Sequence, residues 1–124
     1  MKLLLDTHAA VNFIEDDPRL GVEAAAAIEN PSNHVLLSAV VVWEIAIKRA
    51  LGKLPVDQRY LALLLEAGVE PLAISVGHAR AVEDLPAHHR DPFDRLLVVQ
   101  AAAESATLVT NDENIRRYDV SVLW

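Results

Sequence analysis

The stretch that most constrains this fold is Lys2-Leu3-Leu4-Leu5-Asp6-Thr7-His8, where a short apolar run stops abruptly at a carboxylate. A strand in the middle of a parallel sheet is covered on both faces, so it reads as a continuous apolar run rather than an alternation. Leu3 to Leu5 fit that pattern. Ligands of open α/β sheets bind outside the carboxyl ends of the strands, which puts Asp6 where function is expected. Taken alone, Asp6 is better explained as the N-cap of a helix over Ala9 to Phe13. The other carboxylates decide between the two.

The rest of the chain alternates. Ala9 to Ile14 suits a short helix closed by Glu15-Asp16-Asp17-Pro18, and Glu23 to Ile28 resumes one. His34 to Leu37 is a second strand, Ser38 an N-cap, and Ala39 to Leu51 a helix that ends in Lys48, Arg49 and the glycine stop Gly52. Gln58 to Ala67 is helical, with Leu61, Leu64 and Leu65 on one face. Pro71 to Ile74 is the third strand candidate, and Ser75 caps a helix reaching about Asp84. Asp91-Pro92-Phe93-Asp94 is a helix start with an acid at the N-cap, proline at N1 and an acid at N3, and that helix runs to about Glu104. Thr107 to Val109 is the fourth strand, Glu113 to Tyr118 a short helix and Val120 to Leu123 the fifth strand. Such alternation predicts a single α/β domain over residues 1–124, a doubly wound parallel sheet of about five strands.

Bulk composition narrows the function. Hydrophobic residues make up 52% and mean hydropathy is +0.22, a surplus that points to a buried partner surface. No stretch approaches the ~20 uncharged apolar residues of a membrane span. The beginning lacks the apolar core of a signal peptide and there is no cysteine to oxidise, so a cytoplasmic location is expected. The net charge of −7 argues against holding nucleic acid through the overall field. Any such contact has to be local or metal-mediated.

Four acids stand out. Glu44 lies inside Val40-Val41-Val42-Trp43-Glu44-Ile45-Ala46-Ile47, where a lone charge would cost several kcal/mol or be forced neutral. An i,i+4 pair with Lys48 is the structural explanation, but it returns only ~0.3 to 0.5 kcal/mol, so a functional role is favoured. Asp94 is either a helix-dipole acid or a ligand, since Asp91 already supplies the cap and the apolar helix beyond is expected to aim its start at the sheet edge. Asp112 closes the fourth strand as Asp6 closes the first, with an N-cap for the following helix as its alternative. Unit charges ~5 Å apart repel by roughly 3 kcal/mol per pair at an effective dielectric of 20, so such a cluster requires a cation. Without cysteine the ligands are hard oxygens, which favours Mg²⁺ or Mn²⁺ over zinc. His8, His88 and His89 lack helical metal-ligand spacing and suit orienting or surface roles.

Hard metals on carboxylates commonly serve phosphodiester cleavage. No Gly-rich loop exists among Gly21, Gly52, Gly68 and Gly77, so nucleotide cradles are absent. A phosphoaspartate hydrolase resembling the haloacid dehalogenases would carry a second acid where this chain has His8. A receiver domain would need an acid near Ile74 to Gly77 and a lysine after Lys53, and has neither.

Leu4-Leu5-Asp6-Thr7-His8, Ser38 with Val42-Trp43-Glu44-Ile45 and Lys48, His89-Arg90-Asp91-Pro92-Phe93-Asp94-Arg95-Leu96-Leu97, and Leu108-Val109-Thr110-Asn111-Asp112 together resemble a PIN-domain ribonuclease, specifically the VapC-type toxins. The resemblance implies a PIN-like three-layer α/β/α sandwich with the first strand central. It implies a Mg²⁺- or Mn²⁺-dependent endoribonuclease acting on RNA, a homodimer, and a cognate antitoxin that blocks the active site. Asp6, Glu44 and Asp94 match the three core acids, Asp112 the more variable fourth, and Asp91 a motif acid of the subgroup. Val11-Asn12 is a departure, since close relatives tend to carry Leu-Trp there. The expected mechanism is hydrolysis by water on a metal held by Asp6 and Asp94, with Glu44 and Asp112 as further direct or water-mediated ligands. Arg95, Lys48 and Arg90 are the candidates for gripping phosphate, with ion pairing or solvated surface as the alternative. The competing function is a catalytically silent PIN-like module that only binds RNA or protein, which predicts a broken acid set.

Overall fold

A computed structural model describes residues 1–124. Strands β1 (Lys2–Leu5), β2 (His34–Ser38), β3 (Glu70–Leu72), β4 (Thr107–Val109) and β5 (Val122–Leu123) form one sheet in the order β3-β2-β1-β4-β5, every pair parallel. β1 is central as expected, with Leu4 opposite Leu36 on one side and Leu108 on the other. Leu3, Leu4 and Leu5 are all fully buried, which is why the run carries no alternation. From β1 the chain moves outward through β2 to β3, then returns across the sheet to β4 on the opposite side. Right-handed crossovers in both directions place helices on both faces. The direction reverses between β1 and β4, so the carboxyl ends of those two strands open a crevice.

The helices are α1 (Thr7–Ile14), α2 (Val22–Glu29), α3 (Ala39–Ala50), α4 (Tyr60–Glu66), α5 (Val76–Ala81) and α6 (Pro92–Glu104). The caps read from the sequence are present. Asp6 accepts from the Ala9 amide, Ser38 from Val40, and Asp91 from both Phe93 and Asp94, with Pro92 at the first position of α6. The first turn of α6 therefore has its amides satisfied before Asp94 is needed.

Several boundaries differ from expectation. β3 is Glu70–Leu72 rather than Pro71 to Ile74, because β2 ends at Ser38 opposite Leu72 and leaves Ala73 and Ile74 without a neighbour. The Ala73 carbonyl is instead met by the buried side chain of Gln100 at 3.4 Å. Pro71 is tolerated because β3 is an edge strand. α4 starts at Tyr60, since Asp57 spends itself on a turn closed by the amides of Arg59 and Tyr60. Beyond α5 the last turn tightens to a 3₁₀ helix over Val82–Asp84. The helix expected over Glu113 to Tyr118 is only a 3₁₀ turn, Ile115–Arg117, too short to carry the cost of helix nucleation. β5 is shortened to two residues because Val120 folds back on the Tyr118 carbonyl.

Candidate active site

The crevice gathers acids from separate parts of the chain. Asp6 ends β1 and is buried, with Oδ1 accepting from the Ala9 amide at 2.8 Å. Burial pushes its carboxyl up; hydrogen bonding from Thr110 and Ala9 and the nearby His8 oppose the rise, while Asp112 adds to it. Asp94, in the first turn of α6, is pushed up to about 7, first by burial and then by Asp91, Asp112, Glu44 and Asp6. All the acids singled out in the sequence therefore act on Asp94, and each disfavours its charged form.

Glu44 and Asp112 have structural partners as well. The Thr7 hydroxyl donates a short hydrogen bond to Glu44 Oε1, and Lys48 Nζ lies 2.8 Å from Oε2. The i,i+4 pair is thus formed, and the buried Thr7 hydroxyl satisfies the other oxygen of a carboxylate on an apolar helix. Asp112 Oδ1 accepts from the amides of Asn114 and Ile115 at 2.7 and 3.3 Å, which is the capping alternative, and leaves the other oxygen unengaged. No three histidine, aspartate or glutamate side chains are drawn closely enough together here to hold a metal ion as they stand. The fit to a cation rests on charge and donor type: carboxylate oxygens that raise one another's cost of ionisation, with no thiolate in the chain, are the donor set a hard divalent ion takes.

His89 belongs to this neighbourhood. The Tyr118 hydroxyl accepts from the His89 amide at 3.3 Å and from Arg95 Nη1 at 3.0 Å, so its own proton is directed to His89 Nδ1 at 2.8 Å. That hydrogen-bond network assigns the ring proton to Nε2. Nε2 is buried, makes no hydrogen bond, and stands 3.5 Å from Asp94 Oδ2, close enough for charge attraction but not for a well-made bond. The ring is thus turned inward beside Asp94 rather than out to the surface, whereas His8 is exposed.

Arg95 requires a correction. Read from the sequence as a phosphate grip, it instead donates to the carbonyls of Pro86, His89, Val82 and Leu85 at 2.8 to 3.5 Å as well as to Tyr118. Its planar fork is consumed in holding the loop that presents His89. Arg90 is exposed at the head of α6, and Lys48 is half-exposed beside Glu44.

A cavity of about 650 Å³ opens beside Asp6 and Asp112, with Lys48, Arg19, Asn12 and Trp124 also on its walls. Asp94 and Glu44 do not line it. Val11 and Asn12, where the chain departs from its family resemblance, both do. Sequence reasoning missed Thr7, Thr110 and Tyr118. Thr7 was signalled by its place directly after Asp6, and Thr110 by its place at the exit of β4; nothing local marks Tyr118, whose partners lie 29 and 23 residues away.

Residues 3–121 match the PIN domain family. Ribonuclease VapC16 of Mycobacterium tuberculosis is 30% identical over 115 residues, covering 86% of this chain and 77% of that protein. Among solved structures, VapBC2 from Rickettsia felis bound to a promoter DNA fragment contains a chain with a TM-score of 0.74 at 21% identity, covering 99% of this chain and 98% of that one. DNA-bound VapBC from Salmonella typhimurium contains another, with a TM-score of 0.69 at 17% identity and coverage of 99% and 97%. At such identities the solved structures speak for the fold alone, while the family match spans nearly the whole sequence and the relative is matched over most of its own length. The chain is accordingly a member of the PIN-domain family, on the branch that includes the VapC ribonucleases.

Proposed function

We infer that the protein is an endoribonuclease, the toxin of a toxin-antitoxin pair, that hydrolyses RNA phosphodiester bonds in the cytoplasm with the help of Mg²⁺ or Mn²⁺. The observation that carries this reading is the convergence of Asp6 and Asp112, which follow the paired strands β1 and β4, on Asp94 in the first turn of α6, whose carboxyl is pushed up by burial and by these neighbouring acids. Asp6 and Asp94 would hold the ion, Asp112 would join through its unengaged oxygen, and Glu44 would act through water because both of its oxygens are occupied. When bound, such an ion supplies an activated water and a counter-charge for the departing oxygen.

The chain's own contribution is to place and hold these groups. Thr7 and Lys48 fix Glu44, the His89 ring stands against Asp94, and Arg95 locks the loop behind that ring. Lys48 is the phosphate ligand on the cavity wall, and Arg90 offers a second, more distant charge. A silent binding module would not keep all four acids at one sheet edge. The direct test is incubation with total RNA and Mg²⁺ or Mn²⁺ followed by mapping of cut ends; intact RNA at every metal concentration would overturn the reading.

Metal binding has its own readout. Millimolar Mg²⁺ or Mn²⁺ at tenfold over Kd is expected to stabilise the protein by about 1.4 kcal/mol, seen as a rise in Tm, and to leave Asp6→Asn nearly unmoved. Coincident melting curves with and without Mn²⁺ would remove the metal from the proposal.

A cognate antitoxin is the proposed protein partner, in keeping with kinship to proteins solved as VapBC assemblies. A homodimer is proposed as well, with one amendment to the sequence reading. Leu64 is fully buried, so the apolar face left over is built from Trp43, Leu61 and Leu65, exposed by 57%, 36% and 44%. They border an almost wholly apolar hollow of about 510 Å³ between α3 and α4. Sedimentation at tens of micromolar should give a dimer, and Trp43→Glu a monomer. No helix is long and apolar enough to cross a membrane.

A further inference from the structure

The cavity beside Asp6 has a build that the acid cluster does not explain. Asp6, His8, Val11, Asn12 and Glu15 recur on it at helical spacing, so one face of α1 forms a wall leading away from the catalytic acid. At a rise of 1.5 Å per residue, Asn12 lies about 9 Å along that wall from Asp6. Asn12 is 7% exposed, and its amide has no hydrogen-bond partner in the protein although it borders open space. The side-chain amide is open to the cavity rather than sealed in the core, so its donors and acceptor are free to meet what enters.

Trp124 stands on the same cavity with its indole half-buried. Its position is tightly defined: a Cβ on Gly21 would fall 2.3 Å from the Trp124 carbonyl carbon and 3.0 Å from indole Cδ1. Only glycine at 21 lets the two segments meet so closely. Arg19, two residues before that glycine, adds a cation to the wall; Asp17 holds its Nε and Nη2 and leaves Nη1 unengaged.

We propose that this cavity is a nucleotide subsite for single-stranded RNA, in which Trp124 stacks on the base next to the cut, Asn12 hydrogen-bonds the edge of that base, and Arg19 with Lys48 receives its phosphate. An aromatic face, an amide carrying both donors and an acceptor, and two cations within one polar cavity are the groups that read an unpaired base and its backbone. A basic peptide would also meet acids here. It would leave Asn12 and the unengaged Nη1 of Arg19 unmatched, and so is the less favoured occupant. The proposal rests on the endoribonuclease reading, and its test separates the two.

The test uses Asp94→Asn, which is not on the cavity wall, to prevent cutting, and Trp43→Phe to leave Trp124 as the lone indole reporter. Short single-stranded RNA of mixed sequence should quench Trp124 emission saturably. Trp124→Ala should weaken binding of fluorescently labelled RNA about tenfold, and Trp124→Phe should restore most of the affinity. In the cutting-competent protein, Asn12→Ala should alter the base preferred beside the mapped cut while leaving Tm unchanged. A protein that cuts RNA yet shows no quenching, unchanged affinity in Trp124→Ala and an unchanged cut-site base in Asn12→Ala would overturn the subsite alone. Quenching by an arginine-rich peptide but not by RNA would also overturn it and assign the cavity to a protein partner. A protein that neither cuts nor binds RNA would remove the function on which the subsite depends.

Discussion

Asp94→Asn is expected to lower metal-dependent RNA cleavage by at least about a hundredfold while leaving the fold intact, because it deletes a charge from the proposed metal site and preserves volume. The metal-free variant should melt at or above the wild type, since burial first and then four acids push the Asp94 carboxyl up to about 7, and an amide has no charge to bury or to repel. The pH dependence has a definite sign. A carboxyl whose folded pKa lies above its unfolded value binds more protons in the native state between the two, so the metal-free wild type loses stability as pH rises from about 4 to about 7 and levels off beyond. Asp94→Asn should flatten that slope. Added Mn²⁺ should oppose the loss in wild type, and its affinity should fall with pH as the proton competes for the same oxygens. Near-wild-type cleavage by Asp94→Asn would remove Asp94 from the catalytic set.

Arg95→Met is expected to cost about 2 to 3 kcal/mol of stability, measured by urea unfolding, because the Pro86, Leu85, Val82 and His89 carbonyls lose a shared donor and Tyr118 loses one of its two. Cleavage should fall as well, through displacement of the His89 loop. A phosphate grip would behave differently: affinity for RNA would drop with a shallower salt dependence and little change in stability. The two outcomes separate the role seen in the structure from the one read off the sequence.

The difference between those roles marks how far the sequence was legible. β1 could be placed in the centre of the sheet because its three leucines tolerate no solvent face, and Asp6, Asp94 and Asp112 could be placed at one edge because each sits where an element begins or ends. Elements with strong local chemistry, such as the Asp91-Pro92 start of α6, were legible to the residue. What was hidden depends on contacts distant in sequence. Arg95 sits in a motif beside an acid, and nothing local says that its fork turns to the carbonyls of residues 82–89. The end of β3 is set by where β2 stops, and the second partner of Glu44 comes from Thr7, 37 residues away. Leu64 and Leu65 are neighbours of equal hydrophobicity, yet only the packing of α4 decides that one is core and the other surface.

The position of β1 between β2 and β4 also governs when the activity can exist at all. Its pairing of Leu4 with Leu108 joins residues from opposite ends of the sequence, and such contacts form late because the long intervening loop must be closed first. The crevice holding Asp6 and Asp112 is the product of that one pairing, so a chain with its first helices and β2 already in place still lacks an assembled site. Catalytic competence is therefore a property of the finished sheet: on refolding, RNA cleavage should return no earlier than hydrogen-exchange protection of the Asp6 amide, which donates to the Val109 carbonyl at 3.1 Å.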